Sequence, residues 1–371
     1  MSTVVSQAVL PTYARHDVTI VSGDGAWLVD AEGRRYLDFL AGIAVVGLGH
    51  GHPAPRAAAH AQLERLWHVS NLYWTEPMTQ LAERLSQRFG GAQAFFCNSG
   101  AEAIEAALKY ARKASRKAGV VGLEGSFHGR TFGALSVTGQ RAKRAAFEPL
   151  LSGVAFAVPN DVASLEAAVT EETGCILLEP VLGEGGVRPL APAFVAAARA
   201  LADETGALLV LDEVQTGVGR TGTFFAFEQL GVRPDAVTLA KGLANGLPVG
   251  CLLVADAAAG AFAPGDHAST FGGNPVACAA AVAVCDTVDD ELLAGVVAHG
   301  ATIAARLPNV RGRGLLLAVE TSGPAGDVVA ECLERGLLVG TVGETTLRLT
   351  PPLTLTTDEL DHGLAILEEL L

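Results

Sequence analysis

Lysine is scarce in this 371-residue chain: of 26 Lys+Arg only five are lysines, at positions 109, 113, 117, 143 and 241. Acidic residues number 40, giving a formal net charge of −14, and no long basic run interrupts that balance. A nucleic-acid partner is disfavoured on both counts, and small molecules are the expected partners. Long apolar runs are missing too. The stretch from Val276 to Cys285 is closed off by Pro275 and Asp286, far below the ~20 residues of a membrane span, so it reads as a buried helix and no membrane role is expected. The six cysteines (Cys97, Cys175, Cys251, Cys278, Cys285, Cys332) include no close pair, which predicts reduced core thiols rather than a disulfide framework or a cysteine zinc site. His50 and His52 lack a third ligand nearby, so no metal is assigned. The N-terminal stretch has no basic segment leading into an apolar one, and a cytoplasmic location is the default expectation.

What is present is an alternation of short apolar runs with helical patterns. The length exceeds the roughly 100 to 200 residues of one compact core, so two lobes with a cleft between them are expected. Between residues 94 and 254 strands are predicted at 94–97, 120–124, 154–158, 175–179, 207–212, 236–240 and 249–254, separated by helices such as 101–117 and 192–205. This is the pattern of a mainly parallel, seven-stranded α/β sheet covered by helices. Short strand-like pieces before residue 50 and after 315 predict a smaller α+β lobe built from both chain ends. The expected division is an N-terminal segment over 1–55, a large domain over 56–275 and a C-terminal small domain over 276–371.

Ligands of open α/β sheets sit beyond the carboxyl ends of the strands, and Ser99, Glu124, Glu179, Asp212 and Lys241 all fall at or just after such ends. Lys109, Lys113 and Lys117 recur along one helix face and Lys143 sits in a basic stretch, whereas Lys241 follows the apolar run VTLA and precedes a Gly-rich turn. A lysine in an apolar pocket loses proton affinity and becomes an amine nucleophile toward an aldehyde; the alternative is a strand-end lysine that snorkels to water. Asp212 closes the run ALLVL one strand earlier. Such a carboxylate can stand beside a pyridine nitrogen, or simply cap the strand. The turn NSGA at 98–101 can seat a phosphate at a helix start, or Ser99 can be an ordinary cap. In SFHGR at 126–130, Phe127 can stack on a ring and Arg130 can bind a carboxylate, or they can be a core aromatic and a surface cation. GVGRTG at 217–222 has dinucleotide-loop spacing, but follows DEVQ instead of joining a strand to a helix, which disfavours a nicotinamide-dependent dehydrogenase.

Together, GDGAWLVDAEGRRYLDFLAGIAVVGLGHGHP, SNLYWTEP, FFCNSGAEA, FHGRT, LEPVLGEGGV, LLVLDEVQTGVGRTG, TLAKGLANGLPVG, HASTFGGNP and LRLTPPL span nearly the whole chain. The sequence thereby resembles the class III (ω-amino acid) aminotransferases of pyridoxal phosphate (PLP) fold type I, most closely their acetylornithine branch. The resemblance implies Lys241 as the lysine that holds PLP and Asp212 as the partner of the pyridine nitrogen. It places Gln215 near the ring hydroxyl, Val214 and Phe127 on the two ring faces, and Ser99, Gly100 and Ala101 at the phosphate. It further implies a homodimer with shared sites, in which Thr270 reaches the neighbouring subunit's phosphate and Ser269 touches substrate. Arg130 resembles the arginine that grips the donor's distal carboxylate and Arg348 the one that binds the α-carboxylate of 2-oxoglutarate or glutamate, with Glu184 masking Arg348 when the amine donor is bound.

The activity so implied is transfer of the terminal amino group of N2-acetylornithine to 2-oxoglutarate, in arginine biosynthesis. Ile43 stands where ornithine aminotransferases carry a tyrosine, which suits a donor with an acylated α-amine. Ile104 and Val46 replace asparagines common in the acetylornithine branch, and Val46 leaves donor choice less constrained than reaction type. Other ω-amines as donors (an acylated lysine-pathway amine, ornithine, 4-aminobutyrate, putrescine), an aminomutase reaction, or PLP binding without turnover are the rival readings.

Overall fold

The computed structural model describes residues 8–371, so the first part of the N-terminal stretch and of the 1–55 segment lies outside the described residues. The seven strands predicted for the central sheet all form, with ends shifted by a residue or two. They are β1 (Ala92–Cys97), β2 (Gly119–Leu123), β3 (Val154–Ala157), β4 (Thr173–Leu178), β5 (Leu208–Asp212), β6 (Ala236–Leu239) and β7 (Gly250–Ala255). Their order across the sheet is β1-β7-β6-β5-β4-β2-β3. All neighbours are parallel except β7, which runs against β6 and β1. Helix Gly100–Ser115 buries Ile104, Leu108 and Ala111 on one face of the sheet, and helix Pro192–Thr205 buries Phe194, Val195 and Ala198 on the other. Because both sheet faces are covered, β4 and β6 are buried at every residue, as unalternating apolar strands of a parallel sheet should be.

The two chain ends share a separate apolar core. Leu37 and Phe39 pack with Leu317, Leu347 and Leu364, each fully buried Leu or Phe contributing about 1.5–3 kcal/mol against leaving it in water. Strands Leu316–Glu320 and Thr346–Leu349 pair antiparallel there, Ala318 opposite Arg348, and Leu337 joins Leu37 in parallel. Helix Pro275–Thr287 contains the Ala-rich run read as a buried helix. All six cysteines are buried and free, and no helix among the described residues is long and apolar enough to cross a membrane.

Candidate active site

The parallel register sets Asp212 beside Thr238, so the ends of β5 and β6 deliver Asp212 and Lys241 to one edge of the sheet. Lys241 opens a short 3-10 turn, Lys241–Ala244, with a φ of +38°. A residue with a Cβ pays on the order of 1 kcal/mol for that conformation, which turns its side chain out of the strand direction into a cavity of about 420 Å³. Burial lowers the proton affinity of Lys241 below that of an ordinary lysine, and Arg348 adds to the effect while Glu184 and Asp212 oppose it.

Asp212 is 4% exposed, lines the cavity and has three partners that fix its carboxylate. Oδ2 lies 2.7 Å from His128 Nδ1, and Oδ1 accepts from Val214 N at 3.0 Å and Thr238 Oγ1 at 3.1 Å. Burial works against a charge on His128, but the hydrogen bond and charge of Asp212 outweigh it and raise the imidazole pKa. His128 and Thr238 received no role from the sequence. The signals were there: a histidine in a glycine-bounded turn after a strand, and one hydroxyl inside an otherwise apolar strand.

Opposite Lys241, Ser99 caps helix Gly100–Ser115, its Oγ accepting from Glu102 N at 3.2 Å. The first amides of that helix have no partner within it and favour an anion, and Ser99, Gly100 and Ala101 line the cavity. A Cβ on Gly100 would come within 2.7 Å of Val214, so only glycine lets the helix start approach that wall. Phe127, Val214 and Gln215 line the same space. Both amide atoms of Gln215 and Nε2 of His128 are buried without a hydrogen-bond partner. Polar atoms left so are costly unless something fills the cavity and bonds to them. An anion seat, two apolar faces, a held carboxylate and an orphaned amide fit a planar, phosphorylated pyridine.

The remaining wall carries charge. Arg348, 4% exposed and not itself a lining residue, comes from the small core and pairs with Glu184, which lines the cavity, and the arginine outweighs burial to lower the Glu184 pKa. Buried Glu179 accepts from Phe127 N at 2.8 Å and Gly183 N at 3.1 Å, tying the aromatic's loop to the one bearing Glu184. Arg130 lies 5.6 Å from the Phe127 ring centre and Lys143 4.7 Å from it. Lys143, placed by sequence in a basic stretch, is not itself a lining residue but lies against Phe127, which is. Glu124 is exposed and does not line the cavity. Ser269 and Thr270 line an adjacent cavity of about 360 Å³, where Ser269 Oγ accepts from Asn98 Nδ2 at 3.1 Å. Ile43 is 40% exposed, and its neighbour Val45 is the residue that reaches the cavity wall.

A doubly covered α/β sheet with a strained, buried lysine of lowered pKa at a strand end, in one cavity with a held aspartate and an anion seat, is the arrangement of a cofactor-dependent enzyme. The Aminotransferase class-III family matches residues 11–371, and the chain belongs to that family: it is an aminotransferase. Among curated relatives, an acetylornithine aminotransferase of Caldanaerobacter subterraneus subsp. tengcongensis is 45% identical over 389 residues, covering 100% of this chain and 99% of the relative. The N-acetylornithine aminotransferase structure from Stenotrophomonas maltophilia K279a superposes with a TM-score of 0.84 at 36% identity, covering 96% of each chain. An ornithine aminotransferase from Toxoplasma gondii, with partial occupancy of PLP at its active site, gives a TM-score of 0.93 at 33% identity, covering 98% of this chain and 91% of that one.

Proposed function

We propose that this chain transfers the terminal amino group of N2-acetylornithine to 2-oxoglutarate with PLP as cofactor, yielding N-acetylglutamate 5-semialdehyde and glutamate. The observation that carries the reading is Lys241, lowered in pKa and set in one cavity with Asp212 and the start of helix Gly100–Ser115. The similarity to enzymes named for acetylornithine supports the donor.

Lys241 would hold the cofactor, Asp212 its ring nitrogen, Gln215 its ring hydroxyl, Val214 and Phe127 its faces, and Ser99, Gly100 and Ala101 its phosphate. Once bound, PLP supplies an aldehyde that captures the amine and a ring that takes up the electron pair released at the donor carbon. The Lys241 amine, free once the donor's amine is captured, would take the proton from the donor's amine-bearing carbon as base and give it back on the cofactor side as acid. His128 and Thr238 hold the Asp212 carboxylate in place, where it would meet the ring nitrogen. Arg130 binds the donor's carboxylate. Glu184 neutralises Arg348 while the donor occupies the site and swings away to let Arg348 take the α-carboxylate of 2-oxoglutarate.

Ser269 and Thr270 serve a second copy of the chain, Thr270 at its phosphate and Ser269 near its substrate, in a homodimer. An exposed apolar surface supports this: Leu72, Tyr73, Trp74 and Phe271 are 84%, 66%, 85% and 59% exposed, more than a lone soluble chain usually leaves bare. Two separate apolar cores support a large and a small domain, the small one from both chain ends, but the large core also takes Leu48 and helix Pro275–Thr287, so the boundary expected after residue 275 falls later in the chain. Six free, buried thiols suit the cytoplasm. The test is to load the protein with PLP and mix it, without acceptor, with N2-acetylornithine, ornithine, 4-aminobutyrate or N-acetyl-lysine at equal concentration. N2-acetylornithine should bleach the cofactor band fastest, and glutamate should appear on adding 2-oxoglutarate. An unchanged band with N2-acetylornithine would remove it as substrate.

A further inference from the structure

Four of the five lysines have plain employment. Lys109 and Lys113 hold Asp266, Lys117 bonds the Thr205 carbonyl, and Lys241 is the cavity lysine. The half-buried Lys143 is different. Its ammonium has no hydrogen bond and no carboxylate within ion-pair distance among the described residues. It lies instead 4.7 Å from the centre of the Phe127 ring, whose field it shares with Arg130 at 5.6 Å. Burial lowers its pKa, Arg130 and Arg348 add to that, and Glu184 opposes them. Glu184 is already committed to Arg348. A cation resting on a ring gains less than one in a charge-assisted hydrogen bond to a carboxylate, so an arriving carboxylate would draw Lys143 to itself.

We propose that Lys143 is the second cation of the distal-carboxylate subsite, sharing with Arg130 the carboxylate of the substrate and disfavouring donors that carry a free α-ammonium beside it. This rests on the aminotransferase reading above and deepens its choice of donor. Two cations around one carboxylate leave no tolerance for a third positive group, and acylation of the α-amine removes that charge. Selection for an acylated donor then comes from repulsion of the free amine as much as from contact with the acyl group.

The experiment compares the PLP-loaded wild type with Lys143→Gln and Lys143→Arg. Lys143→Gln should lower kcat/KM for N2-acetylornithine about tenfold, through KM and with kcat held, the size of one charge-assisted contact. Ornithine should lose about threefold or less, because lost attraction is offset by relieved repulsion, and Lys143→Arg should keep the wild-type ratio. Calorimetric titration with glutarate, an unreactive dicarboxylate, should show about tenfold weaker binding to Lys143→Gln. Equal losses with both donors, or unchanged glutarate affinity, overturns the proposal. A wild type that transfers no amino group from either donor overturns the function instead, while the glutarate titration still decides the role of Lys143.

Discussion

The two walls of the cavity are built on opposite plans. On the wall formed by the ends of β5 and β6, the two reactive groups are fixed: Asp212 has three partners and the Lys241 backbone is set in a strained turn. On the facing wall the charges outnumber their fixed partners. Arg348 pairs with a Glu184 that is itself a quarter exposed, and Arg130 and Lys143 each lie against the Phe127 ring. The first arrangement suits a cofactor that never leaves, since preorganised groups cost nothing at the moment of reaction. The second suits two substrates of different shape that use one space in turn. If that division holds, changes on the held wall should slow every donor alike, and changes on the charged wall should sort donors from one another.

The largest effect is expected at Lys241. On the proposed roles Lys241→Ala removes both the covalent anchor and the proton carrier, and should cut turnover by about 10⁴-fold or more for every donor. Borohydride reduction of the loaded wild type, followed by peptide mapping, should place the label on the peptide bearing Lys241. A label elsewhere, or donor-dependent residual activity in the variant, would undo the contrast between the walls at its strongest point. Next comes Asp212→Asn, which keeps the shape but loses the anion, and should cost about 10²–10³-fold in kcat with little change in KM. His128→Asn should cost about tenfold in the same parameter, since it weakens the hold on Asp212 without removing the charge. A change confined to KM in either variant would move Asp212 to the substrate wall.

Glu184→Gln probes the charged wall. It leaves Arg348 without its anion, so 2-oxoglutarate should bind about tenfold more tightly while the amine donor binds more weakly by a similar factor. Separate half-reaction kinetics for donor and acceptor read the two directly. Parallel changes in both half-reactions would show that Glu184 only supports the fold.

The held wall is legible in the amino-acid sequence because it obeys short-range rules. Asp212 and Lys241 each end an apolar run, and parallel pairing of successive strands places such ends together without further information. Ser99 is legible in the same way, as the junction of a strand and a helix. The charged wall depends on distant pairings: Arg348 meets Glu184 across 164 residues, through the register of Ala318 opposite Arg348. Only family likeness brings those two together in the sequence. Lys143 escapes such rules because it sits in an ordinary basic stretch, and no pattern announces that this stretch folds back against Phe127. Glu124 is the reverse case, a strand-end carboxylate expected near the ligand that faces water instead.

Glu179 stands between the walls and gives the smallest prediction. Burial pushes its carboxyl from an ordinary 4.5 up to about 7, with His128 pulling it down and Asp212 pushing it further up. A carboxyl raised in the folded state holds its proton more tightly there than in the unfolded chain. Its contribution to stability is then complete below about pH 4.5 and is lost as pH climbs through about 7, amounting to at most about 3 kcal/mol. Glu179→Gln mimics the protonated form: it is neutral, has the same shape, and its carbonyl still accepts one of the two amides from Phe127 and Gly183. Urea unfolding should therefore find wild type and variant nearly equal at pH 5, and the variant the more stable at pH 8. Titrating groups remote from Glu179 cancel in that difference. If the variant is instead less stable at pH 8, the ionised carboxylate is fully compensated by the amides it accepts, and the clasp between the Phe127 and Gly183 loops belongs with the held wall rather than between the two.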